Sequence, residues 1–318
     1  MLAGDIYEPR KIRLTDTEEP ALDPASPGEI IFQPELGCLC GSDLLYFEGD
    51  YGEYPPEIGH SLHEMIGRVV DTNGDLFQVG DHVLCVPDRQ QGLSERFRVT
   101  EQQAILVDPR PPVDQALLAQ PLGTVLFALR KLPNLIDQSV VVVGQGPMGQ
   151  LFNLALQQLG ARQIIAVDQI ADRLEVSPRT GATATVNSSQ QDPVKAVEDL
   201  TGGEGADLVV EAVGHREQVL NLCAELCRPF GNILFFGVPP QSIDNFNIYR
   251  VFWKNLSIVT SVGPDFKKDF PLAMQWIAEG RVDVSPLITH RMPWTDIQEA
   301  FDIFSQRQDG ALKVFLDF

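Results

Sequence analysis

The chain has 318 residues, 44% of them hydrophobic and 21% charged, with a formal net charge of −20. That length buries a sizeable core and sets a prior of two domains, while the acidity leaves no room for a large basic patch, so neither nucleic acid nor an anionic membrane surface is expected as a partner. No run of about 18 apolar residues is present to span a bilayer, and the N-terminal Met-Leu-Ala-Gly-Asp-Ile-Tyr-Glu lacks the basic and apolar regions of a secretory signal, so a cytoplasmic location is expected.

Residues 1–112 are rich in glycine, proline and short β-like runs. Gly28–Gln33 reads as a strand after a turn. Gly67–Asp71 reads as another, running into Thr72-Asn-Gly-Asp75, where Asn73-Gly74 predicts a tight hairpin turn. Gly80–Pro87 and Arg96–Val99 add further short strands, together suggesting a barrel-like β domain. The same segment holds Gly37-Cys38-Leu-Cys40-Gly-Ser42-Asp43 and Gly59-His60-Ser-Leu-His63-Glu64-Met-Ile-Gly67. Thiolate, imidazole and carboxylate in such proximity suit a zinc site, but spacing alone leaves a metal and ordinary structural residues equally open. The five cysteines are an odd, sparse set, not a disulfide framework. Cys85, in Val83-Leu-Cys-Val86, is expected in the core.

From 113 to 262 strands and helices alternate, which predicts an open parallel sheet. Helical spacing begins at Gln115–Ala119 and Val125–Lys131. Val140-Val-Val-Val143 is apolar throughout, as a strand covered on both faces must be. It runs into Gly144-Gln145-Gly146-Pro147-Met148-Gly149 and then into a helix. Gly144 allows a tight turn, Gly146 a close approach of backbone to a pyrophosphate, and Gly149 close packing of helix on strand. The phosphates are then expected at the helix N-terminus, where unpaired N–H groups favour negative charge. A second apolar strand, Ile164–Val167, ends in Asp168, about 20 residues past the motif, where a carboxylate bonds ribose hydroxyls and repels a 2′-phosphate. That favours NAD over NADP, and Arg173 is expected to contribute to the same site. Asp207–Gly214, Gly231–Gly237 and Leu256–Val262 supply further strands. Cys223 and Cys227, four apart on an expected helix, read as small core residues.

Residues 263–318 change character again. Phe270–Glu279 is a helix stopped by Gly280, Ile297–Phe304 another, and Leu312–Leu316 a last strand. That strand has no place in the nucleotide sheet and is expected to return to the first domain. The fold class is therefore α/β, a doubly wound parallel-sheet dinucleotide-binding domain inserted into a β-rich catalytic domain.

A set of motifs in one order ties these parts together: Cys40-Gly-Ser42-Asp43, His63-Glu64-x-x-Gly67-x-Val69, Val79-Gly-Asp-His-Val83, Gln120-Pro-Leu122, the glycine fingerprint, Gly202-Gly-x-Gly-Ala-Asp207, Glu211-Ala-Val-Gly214 and Pro286-Leu-Ile-Thr-His-Arg291. In these the chain resembles the zinc-dependent medium-chain alcohol dehydrogenases, in particular the sorbitol-, threonine- and polyol-type members. The resemblance implies a GroES-like catalytic domain built from both chain ends, with the active site in the cleft beside the nucleotide domain. It implies one catalytic zinc held by Cys40 and His63, with Glu64 beside it as a direct, water-bridged or outer group, Gln120 at the further ligand position and His60 the alternate histidine. It makes Ser42 the first proton carrier, Asp43 the partner that orients the ligand imidazole, and Val213, Gly214 and Val238 neighbours of the nicotinamide. A homo-oligomer is implied as well.

Three departures from that family stand out. Gln120 replaces a glutamate, and an amide is a poorer, neutral ligand. Leu45 replaces the histidine that often ends the proton relay. Only Asp88-Arg-Gln-Gln91 remains where relatives insert a four-cysteine lobe, so no structural zinc is expected. The implied activity is hydride transfer between a secondary alcohol or polyol and NAD. A zinc-free reductase on the same scaffold and a non-catalytic NAD(H)-binding sensor are the alternatives.

Overall fold

The computed structural model describes residues 1–49, 54–214 and 219–318. Its strands are β1 (Leu2–Glu8), β2 (Lys11–Asp16), β3 (Glu29–Cys38), β4 (Glu64–Thr72), β5 (His82–Cys85), β6 (Phe97–Thr100), β7 (Ala104–Leu106), β8 (Ser139–Val143), β9 (Gln163–Asp168), β10 (Ala184–Asn187), β11 (Ala206–Glu211), β12 (Cys227–Phe235), β13 (Ser257–Thr260), β14 (Ile288–Pro293) and β15 (Lys313–Asp317). The helices are α1 (Asp43–Glu48), α2 (Val113–Leu117), α3 (Ala119–Leu129), α4 (Pro147–Gln158), α5 (Ala171–Val176), α6 (Pro193–Leu200), α7 (Leu220–Leu226), α8 (Ile248–Lys254), α9 (Asp269–Ala278) and α10 (Ile297–Gln306). No helix among them is long and apolar enough to cross a membrane.

Two compact units emerge. The first takes Met1–Gln120, Phe266–Glu279 and Leu287–Phe318, and the second takes Pro121–Asp265 with Gly280–Pro286. The sequence placed the changes at 112/113 and 262/263; the observed division falls inside α3, and the short 280–286 segment groups with the second unit.

In the first unit a seven-stranded sheet runs β14-β15-β3-β4-β5-β7, with β6 paired to β3. The β15 strand lies antiparallel against β3 with Phe315 opposite Cys38, so the end of the chain does complete the first domain. Its core gathers side chains such as Phe32, Met65, Phe97, Phe301 and Leu316 from both chain ends. The β1–β2 hairpin was not foreseen, because the charges of Asp5, Glu8, Lys11 and Arg13 mask the alternation that buries Ala3, Ile6 and Ile12. The tight turn expected at Asn73-Gly74 is instead the start of a longer connection, since β5 begins only at His82. Asn73 ties back to β3, exchanging bonds with Glu29 (2.8 and 3.1 Å). At Gly74 a Cβ would lie 2.1 Å from Glu101 Oε2, so its lack of a side chain serves a close approach there.

In the second unit six parallel strands run β10-β9-β8-β11-β12-β13. The strand order reverses between β8 and β11, and ligands of such sheets bind beyond the carboxyl ends of the strands at that point. The valines of β8 are all at most 4% exposed, which is why the strand reads as continuous rather than alternating. The short β10 escaped the sequence reading, with only four residues and one of them buried. Cys227 opens β12 instead of continuing a helix with Cys223, although both thiols are buried as expected, and so is Cys85.

Candidate active site

Antiparallel pairing of β3 with β4 sets Cys38 opposite Glu64 and Gly37 opposite Met65. Cys40 lies two residues beyond the end of β3, and His63 immediately precedes β4. Residues distant in sequence therefore meet at one sheet end. One ligand atom each from Cys40, His63 and Glu64 lies within 4.8 Å of the others. Cys40 and His63 are half-buried, Glu64 fully buried.

Between His60 and His63 the backbone turns through two left-handed residues, Ser61 (φ 93°) and Leu62 (φ 65°). Such a conformation costs about 1–2 kcal/mol for each L-residue. Asp43, buried at the start of α1, offsets that cost. Its carboxylate accepts from the Cys40 N–H, the Ser61 hydroxyl and the Leu62 N–H, each at 2.7 Å. Hydrogen bonds to a charged group contribute about 1.5–3 kcal/mol each, so the cross-tie outweighs the strain. The role expected for Asp43 changes accordingly. His63 Nδ1 is 3.9 Å from Asp43 Oδ1, outside hydrogen-bond reach, so the carboxylate orients the two backbone segments that carry Cys40 and His63 and does not bond the imidazole itself.

Ser42 precedes α1 without capping it, and its Oγ is buried with no hydrogen-bond partner among the described residues. His60 stands apart from the trio, its ring packed edge-on against Tyr46 with centroids 4.1 Å apart. Burial lowers its pKa from the ordinary value. Gln120 is buried in α3.

Sequence reasoning missed Lys313. Its ammonium, buried in β15, donates to Glu64 Oε2 and to the Leu39 carbonyl at 3.4 Å. Burial pushes the Glu64 carboxyl up to about 8 against the pull of Lys313. Burial would push Lys313 down, but neighbouring Cys38 and Glu64 outweigh it and hold the ammonium above its ordinary range. A lone lysine inside Ala-Leu-Lys-Val-Phe-Leu was the available signal, since a buried charge requires a partner.

In the second unit, Gly144 (φ 93°) takes the left-handed turn after β8, and Gly146 caps α4 with Pro147 and Met148 in its first turn. A Cβ on Gly149 would lie 1.9 Å from the Gly144 carbonyl oxygen, whereas one on Gly146 would meet only Arg173 Nη1 at 3.5 Å. Asp168 Oδ2 accepts from the Gln145 N–H at 2.6 Å and Oδ1 from the Ile170 N–H at 2.9 Å, fixing the carboxylate beside the glycine loop. Gln145 differs from expectation: its N–H is taken by Asp168 and its side chain turns inward. There its amide donates to the Val142 carbonyl (2.9 Å) and accepts from Asn153 (2.8 Å) and Ser177 (2.9 Å). Val213 and Gly214 follow β11, and Val238 follows β12. Glu211, also missed, sits beneath them with its carboxylate accepting from the Val213, Gly214 and Gly237 N–H groups at 2.9, 2.9 and 3.0 Å.

A β-rich unit converging thiolate, imidazole and carboxylate, in one chain with a dinucleotide-binding sheet, defines a dehydrogenase scaffold. Comparison with known proteins agrees. Residues 26–106 match the model of the alcohol dehydrogenase GroES-like domain and 147–279 that of the zinc-binding dehydrogenase. The chain is 28% identical to the erythritol/L-threitol dehydrogenase of Mycolicibacterium smegmatis (98% of this chain, 96% of that one). It is also 28% identical to the L-threonine 3-dehydrogenase of Bacillus subtilis (93% of each). Among solved structures, the alcohol dehydrogenase TADH of Thermus sp. ATN1 superposes with a TM-score of 0.90 at 26% identity, all of both chains being covered. The chain has the fold of the medium-chain, zinc-type alcohol dehydrogenases, and these likenesses support an oxidoreductase.

Proposed function

We propose that this protein oxidises a secondary alcohol or polyol with NAD, using one zinc ion held by Cys40, His63 and Glu64, with Gln120 as a further ligand. The observation that carries the reading is the convergence of the three donors at the paired ends of β3 and β4. The donor set fits zinc, which takes thiolate sulfur, imidazole nitrogen and carboxylate oxygen together. When bound, the zinc would acidify the substrate hydroxyl and the NAD would take up the hydride.

The chain's own residues supply the rest. Ser42 Oγ, buried and without a hydrogen-bond partner among the described residues, accepts the hydroxyl proton. With Leu45 at the usual relay position, that proton leaves through water, a ribose hydroxyl or Tyr46. Asp43 holds the Cys40 and Leu62 backbones in register, and Lys313 donates to Glu64 and favours its ionised form against the effect of burial. Gly144, Gly146 and Gly149 open the pyrophosphate cradle, with Pro147, Met148 and Arg173 around it. The fixed Asp168 carboxylate favours ribose hydroxyls and disfavours a 2′-phosphate. The relatives named for erythritol, L-threitol and L-threonine support a small hydroxylated substrate.

The same reading includes a homo-oligomer. Among the described residues β13 ends the sheet order with one side unpaired, and Tyr249, Phe252 and Trp253 of α8 are 63–71% exposed. A second copy would bury such a face and pair such an edge.

Metal analysis of the purified protein, with a polyol panel and NAD, tests the proposal. About one zinc per chain is expected on this donor set, with Cys40→Ser losing both metal and turnover. The neutral Gln120 favours one rival, a zinc-free reductase. Undiminished turnover by metal-free protein would establish that rival, and bound NADH that no alcohol or ketone exchanges with would establish a sensor.

A further inference from the structure

We infer that Glu211 is a positioning residue for the nicotinamide half of the cofactor, clamping the turn after β11 to the end of β12 so that both present one fixed surface. The inference rests on the NAD reading above. The strands β8, β11 and β12 are neighbours and parallel, so their carboxyl ends share one edge of the sheet. Glu211 closes β11 there. One carboxylate oxygen accepts from Val213 and Gly214 and the other from Gly237, so the single side chain spans both turns. The main chain repeats the link, with the Gly237 N–H also donating to the Glu211 carbonyl at 3.1 Å.

The turns are in direct contact. A Cβ on Gly237 would fall 2.4 Å from Gly214 N and 2.6 Å from Glu211 Oε2. A Cβ on Gly144 would fall 2.9 Å from the Ala212 carbonyl carbon, so the turn also abuts the first glycine of the pyrophosphate loop. A carboxylate only 1% exposed is costly, and a strand end that served packing alone would be filled by an apolar side chain. Three N–H donors aimed at two oxygens match the anion. What the anion fixes is the stretch carrying Val213, Gly214 and Val238. The Gly144–Gly149 loop and Asp168, which would hold the ADP-ribose half, have their own supports and do not bond Glu211.

That separation gives the test, which uses the full chain and two ligands, NADH and ADP-ribose, titrated calorimetrically. Glu211→Gln turns one acceptor into an NH2 group facing an N–H donor and releases one turn. NADH affinity is expected to fall about tenfold, the loss of one hydrogen bond to a charged group, while ADP-ribose affinity stays within about twofold of wild type. Gly237→Ala, which forces the same turns apart from the other side, is expected to show the same selective loss. Equal loss of both ligands, including a variant too unstable to bind either, would show Glu211 to be a general fold residue and overturn the inference. So would unchanged NADH binding in either variant. Wild-type protein that binds neither ligand would instead overturn the nucleotide reading, and this inference with it.

Discussion

Lys313 donates to Glu64 where both side chains are only 1% exposed, beside the converging Cys40 and His63. The two are 249 residues apart in sequence, so the pair staples the last strand, β15, to β4. Removing one member leaves the other buried without its counter-charge. Lys313→Met is expected to lower stability by about 3–5 kcal/mol, and the double variant with Glu64→Gln to recover most of it. Urea unfolding of the two variants against wild type measures both. Equal losses in the single and double variants would show that the pairing contributes nothing.

Asp43 works differently, through backbone atoms. With three donors on two oxygens, Asp43→Asn must place an NH2 group against an N–H or hydroxyl that now donates to it. The Cys40 turn and the Ser61–Leu62 turn then lose their common anchor. Zinc affinity, read by competition with a chromogenic chelator, is expected to fall about 10- to 100-fold, the range for residues that orient ligands. Stability should fall by a further about 1–3 kcal/mol.

His60 and His63 separate by metal and by pH. His63→Phe is expected to lose the zinc, and His60→Phe to keep it. Burial lowers the His60 pKa from its ordinary 6.5, so the fold favours the neutral ring. The corresponding stability is present above the unfolded value and is lost as pH falls through the lower folded value, because the unfolded chain binds the proton first. Between about pH 7.5 and about pH 5.5 the wild type should therefore lose more stability than His60→Phe, as denaturant titrations at the two pH values would show.

Both the nucleotide sheet and the returning last strand were legible because they depend on near-neighbour patterns. Val140–Val143 is apolar on both faces, and Leu312–Leu316 had nowhere else to pair. The convergence of Cys40, His63 and Glu64 was legible in the Cys40-Gly-Ser42-Asp43 motif and in the spacing of His63-Glu64 to Gly67 and Val69. Partnership across the sheet was not. Nothing in the spacing tells Lys313 which carboxylate it faces, or tells Asp43 that it will bond two backbones instead of an imidazole. Gln145 sat inside the fingerprint but turned into a polar core shared with Asn153 and Ser177, whose partners come from α4 and the turn after α5.

Two glycines of the fingerprint should fail in opposite ways. At Gly149 a methyl group would sit 1.9 Å from the Gly144 carbonyl oxygen, an approach that backbone cannot yield. Gly149→Ala should destabilise the fold by about 1–3 kcal/mol or more, as overpacking does. At Gly146 the backbone (φ −67°, ψ −173°) accepts any residue and the nearest atom is 3.5 Å away. Gly146→Ala should leave the melting temperature unchanged while the added methyl occupies the approach to the pyrophosphate, so NADH binding is lost. Thermal melts paired with NADH titration separate the two outcomes.

The exposed face of α8 supplies the last prediction. Trp253 packs at a tilt against Tyr249 and edge-on against Phe252, with ring centroids 5.8 and 5.6 Å apart, and the three rings remain 63–71% exposed on α8, while β13 ends the sheet order among the described residues. An antiparallel pairing of β13 with its copy about a two-fold axis would satisfy the free backbone groups and cover these rings together. Large buried aromatics carry a disproportionate share of association energy, so Phe252→Glu with Trp253→Glu should shift the protein to monomer, two charges on each side of the axis meeting their equals. Light scattering coupled to size exclusion reads the change. An assembly of unaltered mass in the double variant would place the contact elsewhere on the surface.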